Sequence, residues 1–435
     1  MGKNNFRKIA TITLFESAVQ WYCFLLYGTA AGTVFHKVFF SQTGNGTTAL
    51  ILSYMSFAIG YIAGPFGAIF FGHIGDRKGR KVTMYASLLM MGISTSIIGI
   101  LPPAASAGVG VVIVLQLMRL AQCFGRGGTW GGGILMAYEN VPENKRSFYA
   151  AIPQIGLPIG FGLSSILIAV PTLLLPEDIF FTWGWRIPFL AAIILTVIVI
   201  RQKGEMMETE DYKKAQAKLE AEEAEGKKHK VGFIPMVKGY WKTLLLGCGT
   251  RWVDGTFYNI FIVWILSYCI NWLGMPLIQT YIITIIACIF KIPFTLFGGW
   301  CAQKLGNTKT FVIGALASAV LSIPTLKVIE LSKGNLAITI IGIVLGWSIA
   351  YNLIWAVISS LWSSYFETEV RYSGISFVYH VPSFLVAGMV PTICTLLINY
   401  GKGDTIYVGI YSTVVALISA ACALALKVRH DRGEK

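Results

Sequence analysis

Apolar stretches of about 20 residues recur from one end of this chain to the other, and each is long enough to cross a bilayer as a helix. No other feature constrains the fold so strongly, because a spanning segment must satisfy its backbone hydrogen bonds internally. A β-barrel would show short alternating segments instead. Only 13% of the 435 residues are charged, where a soluble protein carries about a quarter. The chain therefore reads as an all-α, multi-pass membrane protein. Met1 to Ala10 lead into the first apolar stretch with no small-residue cleavage site, so no removed leader is expected.

Twelve spans are predicted, over 11–35, 49–72, 82–101, 108–138, 148–175, 183–202, 241–271, 276–302, 310–329, 336–364, 373–399 and 405–427. They divide into a six-helix half at 1–202, a linker at 203–240, and a six-helix half with a tail at 241–435. Lys and Arg fall mostly on one side: Lys3, Arg7 and Lys8; Arg77 to Lys81; Lys145 and Arg146; the linker; Lys304 and Lys309; Arg371; and the tail. By the positive-inside rule both termini are cytoplasmic. The net charge of +14 is this bias, so no nucleic-acid partner is needed to explain it. The eight scattered cysteines form no C-x-x-C pair and read as packing residues, so neither metal nor cofactor is expected. There is no H-E-x-x-H and no phosphate-binding loop, so neither an enzyme nor an ATP-driven pump is expected.

The halves echo one another. "GHIGDRKGRK" lies between spans 2 and 3, and "GWCAQKLGNTK" between spans 8 and 9. Aligning Gly72 with Gly299 sets Asp76 on Gln303, Arg77 on Lys304 and Gly79 on Gly306. Such repeats are typical of secondary transporters.

The first of these loops resembles the G-x-x-x-D-R-x-G-R-R/K motif of the major facilitator superfamily. The resemblance implies two pseudo-symmetric six-helix halves, with Gly72, Asp76, Arg77, Gly79 and Arg80 forming a conformational gate. Four further segments are similar to the metabolite–proton symporter family, which carries shikimate, oxoglutarate, citrate, proline and betaine: "ESAVQWYCFLLYG", the run from Met118 to Gly160, "WGWRIPFL" and "ETEVRYSGISFVYH". Two departures stand out. The family's E-W-Y-D-F is here Gln20-Trp21-Tyr22-Cys23-Phe24, and its span 4 Glu is Thr129. Three acidic sites that the family offers for proton coupling are neutral.

An ionisable group at mid-bilayer costs about 2.5–3.5 kcal/mol on insertion scales, so each one asks for a function. Arg119 and Arg126 lie seven apart on one face of span 4, and planar guanidinium forks suit a carboxylate. They are the first candidates for substrate binding, with Gln20, Tyr22, Gln122, Tyr258 and Lys291 as companions. Arg251 and Asp254, one turn apart in span 7, read as an ion pair or as a protonation switch in which release of the pair lets Asp254 take a proton. His380 is a further candidate proton carrier. The expected function is secondary transport of a small organic anion, a carboxylate metabolite, with proton coupling, by a monomer in the lipid bilayer of the cell membrane. The alternatives are a proline- or betaine-like zwitterion carrier, and a uniporter or exchanger without protons.

Overall fold

The computed structural model describes residues 3–43, 45–78, 80–139, 145–202, 233–367 and 370–433. Among the described residues, ten helices are long and apolar enough to cross a membrane: Gly46–Phe71, Val82–Ile100, Val109–Gly128, Arg146–Leu174, Glu177–Arg201, Val237–Asn271, Leu277–Leu305, Asn307–Leu331, Leu336–Tyr365 and Ile406–Asp431. These are spans 2 to 10 and span 12. Span 1 is the helix Lys3–Thr33. Span 11 is interrupted: helix Arg371–His380 gives way at Val381-Pro382 to a π-turn, Phe384–Gly388, before helix Val390–Tyr400. The interruption explains why no single long helix stands there.

The packing repeats between the halves. Span 2 packs on 4, 3 on 4, 3 on 6 and 1 on 5; correspondingly 8 packs on 10, 9 on 10, 9 on 12 and 7 on 11. The two most extensive contacts between halves, span 2 with span 11 and span 5 with span 8, are also equivalents under this repeat. The twelve-helix architecture is thus a duplicated six-helix unit.

Close approach is achieved with small residues. A Cβ on Gly160 would lie 2.1 Å from Ala18 O, fixing span 5 against span 1, and one on Gly67 would lie 1.9 Å from Phe124 O, fixing span 2 against span 4. All eight cysteines are unpaired, as expected of packing residues.

Three further π-turns occur, at Phe180–Gly184, Ile260–Trp264 and Val344–Ala350. With that of span 11, three of the four lie in spans 7, 10 and 11. Such bulges often mark functional positions. Span 7 is also unusual in burial: 94% of its apolar window is buried, against 39% for span 4, so it is enclosed by protein on nearly every side. Its helix starts at Phe233, ahead of the predicted 241. Tyr240 leaves helical geometry (φ −118°, ψ 18°), so the predicted start marks a kink within a longer helix. Most of the predicted linker, and Gly79 with the side chains of Gly72, Asp76, Arg77 and Arg80 in the gate motif, lie outside the described residues.

Candidate substrate site

The centre of the bundle gathers aromatic rings around buried charges. Arg126 donates to the hydroxyl of Tyr379, which links span 4 to span 11 across the halves. Its guanidinium lies 3.8 Å from the Phe24 ring centroid and 4.6 Å from that of Trp21. Trp21 in turn meets Tyr258 of span 7 at 5.7 Å and Trp355 of span 10 at 5.4 Å. Residues of both halves therefore converge on Arg126.

Arg119 sits differently, although it shares a helix face with Arg126. Its guanidinium lies 4.5 to 4.6 Å from the rings of Phe24, Tyr27 and Phe57. It donates to Phe57 O and to Gln122 Oε1. Gly60 admits it, since a Cβ there would come within 2.6 Å of its Nε. Every one of these partners belongs to the first half.

Gln122 and Tyr22 are likewise engaged inside that half. Gln122 Nε2 donates to Cys23 O at 2.9 Å and to Thr95 Oγ1 at 2.7 Å. Tyr22 donates to Pro188 O at 2.5 Å and so faces span 6. Its neighbour Trp21, about 100° round the helix, is the residue that meets the second half.

In the second half, Arg251 donates to Asp254 Oδ2 and Tyr351 of span 10 donates to Oδ1, with both charged side chains 2% exposed. The predicted ion pair is thus present, with a phenol as its third member. Arg251 also lies 4.4 Å from the Tyr379 ring. Lys291 donates to Asn352 Oδ1 at 2.9 Å and approaches Trp347 O at 3.5 Å. It packs 4.4 Å from the Tyr351 ring. It therefore caps the π-turn of span 10 rather than the kink at Pro293 in its own helix. Arg186, at the start of span 6, donates to Gly99 O and Leu101 O and closes the end of span 3.

Several buried polar atoms in this region have no hydrogen-bond partner among the described residues: Gln20 Nε2, Trp21 Nε1, Tyr61 Oη, Tyr258 Oη, Trp347 Nε1 and His380 Nε2. An unmet buried polar group costs about 1–3 kcal/mol, so a cluster of them is characteristic of a binding site. His380 lies against span 2, where a Cβ on Gly64 would stand 2.8 Å from its Nδ1.

Polar contacts close the centre from both ends. At the end opposite the N-terminus, Tyr54 donates to Ser267 Oγ at 2.6 Å and Tyr281 to Thr33 Oγ1 at 3.1 Å. Towards the other end, Trp355 Nε1 donates to Gln154 O at 3.0 Å and Gln154 Nε2 to Trp355 O at 3.2 Å. Beyond Ser267 lies a vestibule of about 750 Å³, lined among others by His36, Lys37, Asn45, Trp272 and Asn399.

Of the residues gathered here, sequence reading singled out Arg126, Arg251, Asp254 and Tyr258. It missed Tyr379, Tyr61, Asn352 and Gln154. Tyr379 stands beside His380 in a stretch already singled out, but an uncharged aromatic residue in an apolar helix carries no signal of its own.

A duplicated twelve-helix bundle enclosing a charged aromatic centre defines a membrane transporter. The family profile described as "Major Facilitator Superfamily" matches residues 10–391, and this chain belongs to that superfamily. It is 34% identical to the inner membrane metabolite transport protein YhjE of Escherichia coli (strain K12), over 98% of this chain and 96% of that protein. It is 31% identical to the shikimate transporter of the same strain, over 97% and 94% of the two chains. To the proline/betaine transporter of Salmonella typhimurium it is 27% identical, over 98% and 84%. Among solved structures, the D-xylose-proton symporter superposes with a TM-score of 0.71 at 16% identity, covering 96% of each chain. The protein is thus a multi-pass transporter of the metabolite type and not an enzyme.

Proposed function

We propose that the protein carries a small organic anion, a carboxylate metabolite, in symport with protons. Arg126 is the substrate-binding cation, and the observation that carries this reading is its position. It stands where both halves meet, ringed by Trp21, Phe24 and Tyr379 and close to the unmet polar atoms of Tyr61 and Tyr258. A guanidinium supplies a planar fork for a carboxylate, and the aromatic walls supply apolar contact and exclude water. Arg119 serves to hold spans 1, 2 and 4 together. Gln20 remains a wall residue with an unmet amide nitrogen, whereas Tyr22 and Gln122 belong to the scaffold and Lys291 to the joint of spans 8 and 10.

Asp254 is the proton site, because it is a carboxylate at the centre of the bundle whose partner Arg251 is itself within reach of the substrate region. Transport proceeds by alternating access, one six-helix half (1–202) rocking on the other (241–435) around the site. The contacts Tyr54–Ser267 and Gln154–Trp355 break in turn, and the loop from Gly72 to Arg80 acts as the gate. The termini are cytoplasmic by the lysine and arginine bias. The working unit is a monomer. The identity to the shikimate transporter supports a carboxylate substrate.

A zwitterion is the second reading, favoured by the aromatic faces of Trp21, Tyr258 and Trp355, which suit a quaternary ammonium group. Purified protein in vesicles, given labelled shikimate, proline and glycine betaine with and without a pH gradient, separates the two. Gradient-driven accumulation of shikimate is expected. Accumulation of the zwitterions alone removes the anion reading, and equilibration that ignores the gradient removes symport.

A further inference from the structure

Tyr379 touches both arginines of the centre. Its hydroxyl accepts from Arg126, and its ring lies 4.4 Å from the Arg251 guanidinium. Arg251 in turn holds Asp254. The tyrosine is therefore a wedge between the cation read as the substrate ligand and the ion pair read as the proton site. Its seat also permits movement. It lies in the last turn of helix Arg371–His380, just before the break at Val381-Pro382 and the π-turn Phe384–Gly388. Ser383, inside that break, donates to its carbonyl. Trp362 backs the ring at 6.2 Å and is itself tied to Thr250, next to Arg251, at 2.8 Å.

We propose that Tyr379 is the positioning residue that couples anion capture at Arg126 to release of Asp254 from Arg251. The inference rests on the reading of Arg126 as substrate ligand and Asp254 as proton site. A carboxylate that takes Arg126 displaces the tyrosine hydroxyl from it. The ring then leaves the space between the arginines, and Arg251 turns from Asp254 towards the incoming anion. Asp254 keeps Tyr351 but loses its cation. A carboxylate in a water-poor setting without a cation favours its neutral form, so it takes one proton from the side to which the site is open. When the site opens to the other side, that proton and the anion leave and the Arg251–Asp254 pair re-forms. By reciprocity, a protonated Asp254 raises the affinity for the anion.

The groups that bear on Asp254 are consistent with this order. Arg251 is on its own helix, Tyr351 on span 10, Lys291 on span 8 behind the Tyr351 ring, and Tyr379 and His380 on span 11. Arg126 of span 4 stands beyond Tyr379, and Tyr61 of span 2 meets Phe24, over which Arg126 lies.

Tyr379→Phe keeps the ring and removes the hydroxyl link. In vesicles with labelled shikimate, the ratio of gradient-driven accumulation to counterflow exchange is expected to fall about tenfold, as for loss of one charge-assisted hydrogen bond. The apparent affinity, pH-dependent in the wild type, is expected to become flat between pH 6 and 8. A ratio that stays constant, with exchange and accumulation falling together, assigns Tyr379 a merely structural role and overturns the inference. Should the wild type accumulate none of the probes, the reading of the site fails and the inference with it. A wild type that accumulates shikimate beside a fully coupled Tyr379→Phe overturns the inference alone. A second measurement needs no variant: shikimate added to the wild-type protein at fixed pH is expected to raise carbodiimide labelling at Asp254, which reports the protonated carboxyl. Unchanged labelling overturns the inference.

Discussion

The two halves of this transporter bury positive charge by different means. In the first half, Arg119 is held by the faces of Phe24, Tyr27 and Phe57, by a backbone carbonyl and by a glutamine. In the second, Arg251 is held by Asp254, which also accepts from Tyr351. These partners carry no negative charge, so the cation of Arg119 is left without a counter-ion among them. Asp254 sets a negative charge against Arg251, so the pair is neutral as a whole. The comparison teaches that a bundle can keep an uncompensated cation in one half and a neutralised pair in the other; on the proposed reading the pair is the proton-sensitive element. The helix geometry follows the division in part: π-turns interrupt spans 7, 10 and 11, whereas the first half carries one among its described residues, Phe180–Gly184 at the start of span 6.

The sharpest way to break this comparison is through the two arginines of span 4. Arg126→Gln is expected to weaken the apparent affinity for shikimate about a hundredfold, as when a charged hydrogen-bond partner worth about 2–3 kcal/mol is lost. Arg119→Gln is expected to shift it by less than about threefold while lowering thermal stability in detergent, because it empties an aromatic cage without touching the site. Equal effects on affinity would place both arginines in the cavity and dissolve the distinction.

Asp254→Asn tests the other half. It is expected to remove gradient-driven accumulation while shikimate exchange persists. It should also destabilise the protein by about 3–5 kcal/mol, the cost of leaving Arg251 unpaired in the interior. Proton-driven uptake that survives this change would move the titrating group elsewhere, with His380 next to be examined.

A smaller effect is expected from Tyr22→Phe. It should lower stability by about 1 kcal/mol through the lost bond to Pro188 O, with unchanged affinity. A marked change in affinity would return Tyr22 to the cavity wall.

The smallest effect concerns a contact within the second half, between the end of span 9 and the loop before span 12. Lys327 Nζ donates to Asp404 at 2.7 Å, and Ile406 N–H also donates to it, which holds the Asp404 carboxyl below its ordinary value. A carboxyl depressed in the folded state stabilises above its unfolded pKa and loses that contribution as pH falls. The difference in melting temperature between the wild type and Asp404→Asn should therefore be small at neutral pH and fade below about pH 4.

Much of the fold was legible in the sequence, because each span must be apolar over a fixed length and cannot borrow hydrogen bonds from lipid. The same rule located the buried charges, since Arg119, Arg126, Arg251 and Asp254 stand out against apolar neighbours. Span 11 was legible as apolar, but its break at Val381-Pro382 and the π-turn beyond were not, since a proline in a helical pattern does not reveal how the chain re-forms after it. The roles of Arg119 and Arg126 were not separable either. Seven residues apart on one face, they differ only in what other helices bring to them.

What the sequence by itself determined is therefore the class of molecule: a duplicated set of twelve spans, with a few ionisable groups too costly to bury without purpose. Only the tertiary structure decided which of those groups meet. Trp21 rather than Tyr22 faces the second half, and Tyr379, silent in the sequence, stands between two arginines from different halves. Burial is a property of one helix and its solvent, read from residue type. A site between halves depends on the rotation of each helix about its own axis, and packing against neighbours sets that rotation.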